Sequence, residues 1–176
     1  MIDPHNIVKS DYTDSELQEL LIFTICVAGK TAKTIAPRAH QLYRFIKHND
    51  KPIYIGDVIS FMKKVGLGPY NKAQTIIEAL KLNLRTCSIE DLEKIKGIGP
   101  KTAQAFVMWS RPNVKKAILD THILKWLNSQ GVDRVPKFSP PRGATYDRLE
   151  QEFLKRVPKG MTPAQFDLQI WKKYAK

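Results

Sequence analysis

Two side chains in this sequence could do covalent chemistry together, Lys101 and Asp120, which are nineteen residues apart. Lys101 follows the turn letters "GIGP" at the expected start of a helix, where an ammonium group faces the positive end of the helix dipole. That position, and partial burial in a cleft, would favour a neutral amine that can attack a sugar carbon and form a Schiff base. An exposed lysine that binds phosphate would suit the same segment equally well.

Asp120 comes directly before the apolar-periodic stretch "THILKWL" and is therefore predicted to be a helix N-cap. This role alone would explain the residue. A carboxylate close to Lys101 could also stabilise positive charge that develops on a sugar as its base leaves. The position by itself favours the cap, and the two roles are compatible.

The segment 88–109, with the central letters "LEKIKGIGPKTA", predicts a helix, a tight glycine hairpin and a second helix. Ser88 with Asp91 three residues later resembles a capping box, and Pro100 suits the first turn of a helix. The N–H groups of Gly97, of Gly99 and of the following helix start would point outward together and favour a phosphate. Phosphate binding of this kind does not depend on the base sequence. The alternative is a plain tight turn between two helices.

Apolar residues recur at spacings of three and four along most of the chain, which predicts an all-α fold. Asp14 or Ser15 is the expected N-cap of the first helix, Gly29 its end, and Pro37 a kink or the start of the second helix. The predicted helices, about nine in number, cover 14–28, 31–48, 55–66, a stretch starting near Pro69, 88–96, 100–110, 121–130, 145–157 and 163–174.

The chain carries 29 Lys and Arg against 17 Asp and Glu, a formal charge of +12. This excess favours a polyanionic partner, and nucleic acid is the usual one. A charge that serves solubility and an acidic membrane surface are the alternatives, although the lysines form no polybasic tail. The sequence contains no apolar run long enough to span a bilayer and no signal-peptide pattern, which predicts a cytosolic protein.

Cysteine and histidine usage predicts that the protein binds no metal. The two cysteines, Cys26 and Cys87, cannot supply a four-thiolate site, and Cys26 lies in an apolar run typical of a buried helix. The four histidines are scattered without the spacing of metal ligands. We therefore expect no metal and no cofactor.

These motifs together resemble the helix-hairpin-helix (HhH-GPD) DNA glycosylase superfamily, which contains endonuclease III. The family pattern is a "GxGxKTA" hairpin followed by an aspartate in "(V/L)DTH" about nineteen residues beyond the lysine. This chain has "GIGPKTA" and "LDTH" at that separation. The segments 19–43 and 66–80 are also similar to upstream helices of the family, whereas 131–162 matches weakly.

The resemblance implies a two-lobed all-α fold with a central cleft. One lobe would contain 30–118, and the other would join 1–29 to 119–176. Lys101 would be the Schiff-base nucleophile and Asp120 the catalytic carboxylate. The damaged base would be flipped into the cleft, removed, and the strand cleaved by β-elimination. The expected contacts to the DNA backbone are Lys96, Gly97, Ile98, Gly99, Thr102 and Lys30.

The chain departs from the family at two places. It has no four-cysteine iron–sulfur loop, and Gly29 stands where many relatives have the glutamine that fills the gap left by the flipped base. Its ending, "FDLQIWKKYAK", resembles that of compact archaeal and bacterial 8-oxoguanine DNA glycosylases, which also lack the cluster. That likeness makes base-pocket candidates of Phe166, Asp167, Trp171 and Lys176. Phe166 and Trp171 could instead be core anchors of the last helix.

The sequence is thus interpreted as a DNA glycosylase and abasic-site lyase that acts on double-stranded DNA containing a damaged base, with 8-oxoguanine as the expected base. It is expected to work as a monomer without a cofactor, in the cytoplasm with the nucleoid, or in the nucleus of a eukaryote. An oxidised or modified pyrimidine and a mismatched adenine or uracil are the alternative substrates. A non-catalytic helix-hairpin-helix DNA-binding module is the alternative of another class.

Overall fold

The computed structural model of the protein describes residues 1–49, 52–137, 141 and 143–174. Within these residues the regular structure is helical throughout, as the apolar periodicity predicts. None of the described helices is long and apolar enough to cross a lipid bilayer. The helices are α1 (Asp14–Val27), α2 (Ala32–Lys47), α3 (Ile55–Lys64), α4 (Lys72–Ala79), α5 (Ile89–Glu93), α6 (Pro100–Ser110), α7 (Thr121–Ser129), α8 (Ala144–Leu154) and α9 (Pro163–Tyr174).

The start of α1 differs from its prediction, because its N-cap is Thr13 and neither Asp14 nor Ser15. Thr13 and Glu16 form a capping box. The Glu16 carboxylate accepts a hydrogen bond from the Thr13 N–H at 2.8 Å, and the Glu16 N–H donates to the Thr13 hydroxyl at 3.3 Å. The reciprocal pair satisfies two N–H groups that a cap at Asp14 would leave open. Gly29, at a φ of +72°, follows the end of α1 as predicted.

Pro37 lies inside α2 and does not start it, since the helix begins at Ala32. A proline at that position removes the hydrogen bond to the carbonyl of Lys33. Both residues are exposed, so water can bind the carbonyl that the helix leaves free.

The start of α4 near Pro69 is also corrected, to Lys72. Residues 69–71 form a turn in which the N–H groups of Lys72 and Ala73 donate to the carbonyls of Pro69 and Tyr70, both at 3.1 Å. These bonds reach back only three residues, so the chain is turning there and the α-helix has not yet begun.

The chain divides into two compact units. The first contains Met1–Ile7 and Asp11–Phe106, and the second contains Val8–Ser10 and the chain from Val107 onward. In the first unit α1 packs against α2 and α4, and α3 packs against α2 and α4. The lobes predicted from the sequence have different boundaries, because they join 1–29 to 119–176. That division and the cleft between the lobes stay a prediction.

The second unit has its own aromatic core. The rings of Trp126 and Phe166 meet edge to face with centroids 5.1 Å apart, and Phe153 lies 5.4 Å from Phe166. Aliphatic residues of α7, α8 and α9 surround these rings, and α7 packs against α9. This core fixes α7, and with it the position of Asp120 at the start of that helix.

Candidate functional site

The predicted hairpin between α5 and α6 is present. The Ser88 and Asp91 capping box starts α5 as predicted, since the Asp91 N–H donates to the Ser88 hydroxyl and the Ser88 N–H donates to the Asp91 carboxylate, both at 3.1 Å. The turn then closes with a hydrogen bond from the Ile98 N–H to the Ile95 carbonyl at 3.0 Å. The Ile98 side chain is buried. Its amide and side chain are therefore both occupied inside the protein.

Helix α4 holds the hairpin from the carbonyl side. The Thr75 hydroxyl donates to the Lys96 carbonyl at 2.9 Å, and the Lys72 ammonium donates to the Gly97 carbonyl. Gly97 has a φ of +99°, and a Cβ added there would lie 2.5 Å from Oγ1 of Thr75. Both the backbone conformation and the close approach of α4 thus require glycine at 97.

The amide side of the hairpin carries unsatisfied donors at alternate residues. In a planar trans peptide the carbonyl and the next N–H point in opposite directions, so the Gly97 N–H points away from Thr75. The N–H groups of Gly97, Gly99 and Lys101 donate to no acceptor among the described residues, and Pro100 has no N–H. A Cβ built on Gly99 would meet nothing within 4 Å of the chain. The space beside Gly99 is therefore open to an anion at the positive end of α6.

Lys101 is the second residue of α6 and is exposed. The partial burial that the sequence suggested is therefore absent from this structure. What remains is its position beside the free amides and at the unfavourable end of the helix dipole for a cation. Thr102 is half-buried, and its N–H donates to the Gly99 carbonyl at 3.0 Å.

Asp120 is the N-cap of α7, as predicted. Its Oδ1 accepts hydrogen bonds from the N–H groups of His122 and Ile123, both at 2.9 Å. The second oxygen, Oδ2, accepts no hydrogen bond from any residue that the structure describes. Asp120 is half-buried. One carboxylate oxygen thus caps α7, and the other could accept a hydrogen bond from outside the described residues.

The predicted backbone contact Lys30 lies immediately before the N-cap of α2 and is exposed. It lines a shallow depression of about 390 Å³. Arg38 lies on the same depression and donates a hydrogen bond from Nη1 to the Gly66 carbonyl at 2.7 Å. Two cations therefore face this part of the first unit, which suits a phosphate. The lining residues are Lys30, Thr31, Thr34, Ile35, Arg38 and Gly66.

The base-pocket candidates on α9 have different surroundings. Phe166 is part of the aromatic core of the second unit. Asp167 is only 6% exposed, whereas Trp171 is half-buried. Lys176 lies outside the described residues. Phe166 therefore packs in the core, as the alternative for this residue expects. Asp167 and Trp171 remain candidates for the base pocket.

The predicted site residues are distributed over both units. Residues 96–102 of the hairpin, with Lys101 among them, belong to the first unit, and Asp120 belongs to the second. Sequence reasoning missed Lys72 and Thr75. The available signal was a polar pair three residues apart on α4, which places both side chains on one face of the helix.

Comparison with known proteins identifies the hairpin motif and similar folds. A family model described as a helix-hairpin-helix motif matches residues 81–107. The 8-oxoguanine DNA glycosylase of Thermotoga maritima is a similar structure, with a TM-score of 0.66 and 24% identity over 92% of this chain and 81% of that chain.

Two structures of the Methanocaldococcus jannaschii enzyme are also similar. The 8-oxoguanine DNA glycosylase has a TM-score of 0.68 and 20% identity, over 93% of this chain and 80% of that chain. The 8-oxoguanine glycosylase/lyase in complex with a 15mer DNA containing 8-oxoguanine has a TM-score of 0.69 and 21% identity, over 94% and 83%. The chain therefore contains a helix-hairpin-helix motif and has the fold of the 8-oxoguanine DNA glycosylases.

Proposed function

We propose that this protein is a bifunctional DNA glycosylase and abasic-site lyase that removes 8-oxoguanine from double-stranded DNA. The observation that carries the proposal is Lys101 beside the free N–H groups of Gly97 and Gly99, on a hairpin whose second helix starts there. A phosphate bound by these amides would bring the sugar of a nearby nucleotide within reach of an amine. The shared fold with 8-oxoguanine glycosylases supports the choice of base.

Binding to DNA rests on charge. The net charge of +12 attracts the duplex at long range. The hairpin amides, with Lys96 and Thr102, then hold one phosphate, and Lys30 contacts the backbone from the first unit's depression. The target nucleotide leaves the stack, because an enzyme cannot reach its sugar and read its base inside the duplex. Asp167 and Trp171 are proposed to meet the flipped base, and one monomer suffices for these steps.

The chemistry proceeds in two steps. The neutral amine of Lys101 attacks C1′, so a C1′–N bond forms while the bond from C1′ to the base breaks. The base leaves with the electron pair of that bond and takes up the proton that the nitrogen of Lys101 loses. The Asp120 carboxylate stabilises the positive charge on the sugar as this bond breaks. The sugar ring opens to a Schiff base. Loss of a proton from C2′ then expels the 3′ phosphate, which cleaves the strand.

Trapping the Schiff base with borohydride tests this function. Wild-type protein incubated with a duplex containing 8-oxoguanine is expected to release the base and to form a covalent adduct after reduction. Lys101→Gln is expected to bind the duplex and form no adduct. Lys155→Gln, which changes an exposed lysine of α8's end in the same way, is the matched control. A wild-type protein that binds the duplex without any adduct would refute the lyase step.

One observation favours the alternative of a non-catalytic DNA-binding module, namely the exposure of Lys101. An exposed lysine beside free amides can serve as a phosphate clamp alone. This alternative predicts salt-dependent DNA binding, no base release, and only a small loss of affinity in Lys101→Gln. A panel of duplexes with 8-oxoguanine, an oxidised pyrimidine and mismatched adenine or uracil separates it from glycosylases of other base preference.

A further inference from the structure

The backbone that leads into Asp120 is held by two side chains of α8. The Tyr146 hydroxyl donates a hydrogen bond to the Ala117 carbonyl, and the Ala117 N–H donates to Oε1 of Glu150 at 3.0 Å. Ala117 is fully buried, three residues before Asp120. Both polar groups of one buried residue are thus bound by the same helix.

Glu150 is a carboxylate that is only 5% exposed. Burial of a charged group is unfavourable unless hydrogen bonds and opposite charge replace water. Oε1 has the Ala117 N–H, and Oε2 lies 3.4 Å from the Lys116 ammonium. Both partners belong to the segment before Asp120, so the buried Glu150 carboxylate binds that segment through both of its oxygens.

The geometry of these contacts restricts the path of the chain. The Ala117 N–H and carbonyl belong to the two peptide planes on either side of its Cα, so fixing both groups fixes φ and ψ of Ala117. Tyr146 and Glu150 are four residues apart and share one face of α8. Ile118 and Leu119 are buried, and the Asp120 N–H donates to the Ile118 carbonyl at 2.6 Å. The contacts from α8 therefore fix the backbone that leads to Asp120, and the Asp120 carboxylate caps α7.

We propose that Tyr146 and Glu150 are positioning residues for the Asp120 carboxylate. This inference rests on the proposed function, in which Asp120 stabilises the sugar cation during base loss. A carboxylate serves that purpose only at a fixed place, and a displacement of about 1 Å can lower a rate by about a hundredfold. Both residues act through the Ala117 backbone and need no contact with the DNA.

Two reactions separate positioning from a general loss of structure. Excision of 8-oxoguanine from a duplex requires Asp120, because a base must leave. Borohydride trapping on a duplex that already contains an abasic site requires Lys101 but no base departure. A residue that positions Asp120 should affect single-turnover excision much more than trapping on the preformed abasic site.

The variants are Tyr146→Phe, which removes the hydroxyl, and Glu150→Met, which removes the acceptor at similar size. Glu150→Gln keeps an oxygen that can accept from the Ala117 N–H, so it should restore most of the activity that Glu150→Met loses. Matched controls are Tyr174→Phe, which removes an exposed hydroxyl 3.3 Å from Ser129, and Glu152→Met on the same helix.

We expect excision to fall about ten- to hundredfold in Tyr146→Phe and Glu150→Met, with duplex affinity and abasic-site trapping unchanged. Equal losses of excision and trapping, or wild-type excision in both variants, would overturn the inference while leaving the proposed function intact. If Glu150→Met does not fold, Tyr146→Phe decides alone. A wild type without excision or trapping would refute the proposed function, and this inference with it.

Discussion

The Thr75 hydroxyl on α4 donates a hydrogen bond to the Lys96 carbonyl at 2.9 Å and occupies the space that any side chain at position 97 would need. The hairpin is therefore shaped by a helix that lies outside the motif itself. With the carbonyls of residues 96 and 97 held by α4, the N–H groups of Gly97 and Ile98 have their directions set by the planarity of the two peptides.

Replacing Gly97 by alanine should destabilise the protein. Alanine at a φ of +99° loses about 1–2 kcal/mol of conformational energy, and its Cβ would collide with Oγ1 of Thr75, 2.5 Å away. Gly99→Ala is the matched control, because its Cβ meets no atom of the chain and its φ is ordinary. Urea denaturation is the measurement.

The variants Gly97→Ala and Gly99→Ala also test the proposed phosphate site. Gly99→Ala is expected to fold with wild-type stability and to bind DNA more weakly, since its methyl group would occupy the approach to the free amides. A Thr75→Ala and Gly97→Ala double variant should recover part of the stability that Gly97→Ala alone loses. Wild-type DNA affinity in Gly99→Ala would contradict binding at this face.

Asp120 has a structural role and a proposed chemical role, which different substitutions separate. Asp120→Asn keeps a good N-cap, so the free energy of unfolding should change by less than about 0.5 kcal/mol. Asp120→Ala loses the two hydrogen bonds to His122 and Ile123 and should cost about 1 kcal/mol. Excision of 8-oxoguanine should fall about a hundredfold or more in both. Excision that tracks stability alone would assign Asp120 to capping only.

Phe166 is expected to act through the core. Phe166→Ala removes a ring that contacts Trp126 and Phe153, so the free energy of unfolding should fall by about 3 kcal/mol or more. Gln169→Ala, at an exposed position of the same helix, is the control. Phe166→Leu should keep most of the stability and the excision rate. A Phe166→Leu protein that is stable but loses excision would return Phe166 to the base pocket.

The burial of Cys26 should lower the free energy of unfolding at alkaline pH. Burial raises the pKa of the Cys26 thiol to about 12 from an ordinary 9.0, although Lys30 and Lys72 oppose the shift. The folded protein binds this proton more tightly than the unfolded chain does. The contribution to stability is therefore complete below pH 9.0 and is lost as the pH rises toward 12.

Denaturation curves at increasing alkaline pH measure this effect. Wild type should lose stability more steeply above pH 9.0 than Cys26→Ala. The thiol should also resist iodoacetamide in the native protein and react after unfolding, because only the thiolate is nucleophilic. Rapid alkylation of Cys26 in the folded state would contradict its burial.

The features that the sequence predicted well are local. The Ser88 and Asp91 box, the Asp120 cap and the helix after Pro100 each depend on residues within four positions of each other, so their side-chain types are enough to predict them. The errors are local too. Thr13, Asp14 and Ser15 are all good N-caps, and the reciprocal bond with Glu16 decides for Thr13.

The features that the sequence could not predict join distant segments. Thr75 and Lys96 are 21 positions apart, and Tyr146 and Glu150 reach Ala117 over 29 and 33. No periodicity or capping pattern encodes such pairs, because they exist only after helices have packed. The exposure of Lys101 belongs to the same class, since a helix position fixes the direction of a side chain but not what covers it.

The alternate N–H groups of Gly97, Gly99 and Lys101 have a consequence for how the protein would find a lesion. A phosphate is chemically the same at every nucleotide, so a step along the duplex exchanges one partner of these amides for an identical one. Under the proposed function, the hairpin would move along DNA without a preferred position, because each step would change the binding free energy little. The side chains that contact the base would then decide where the protein stops.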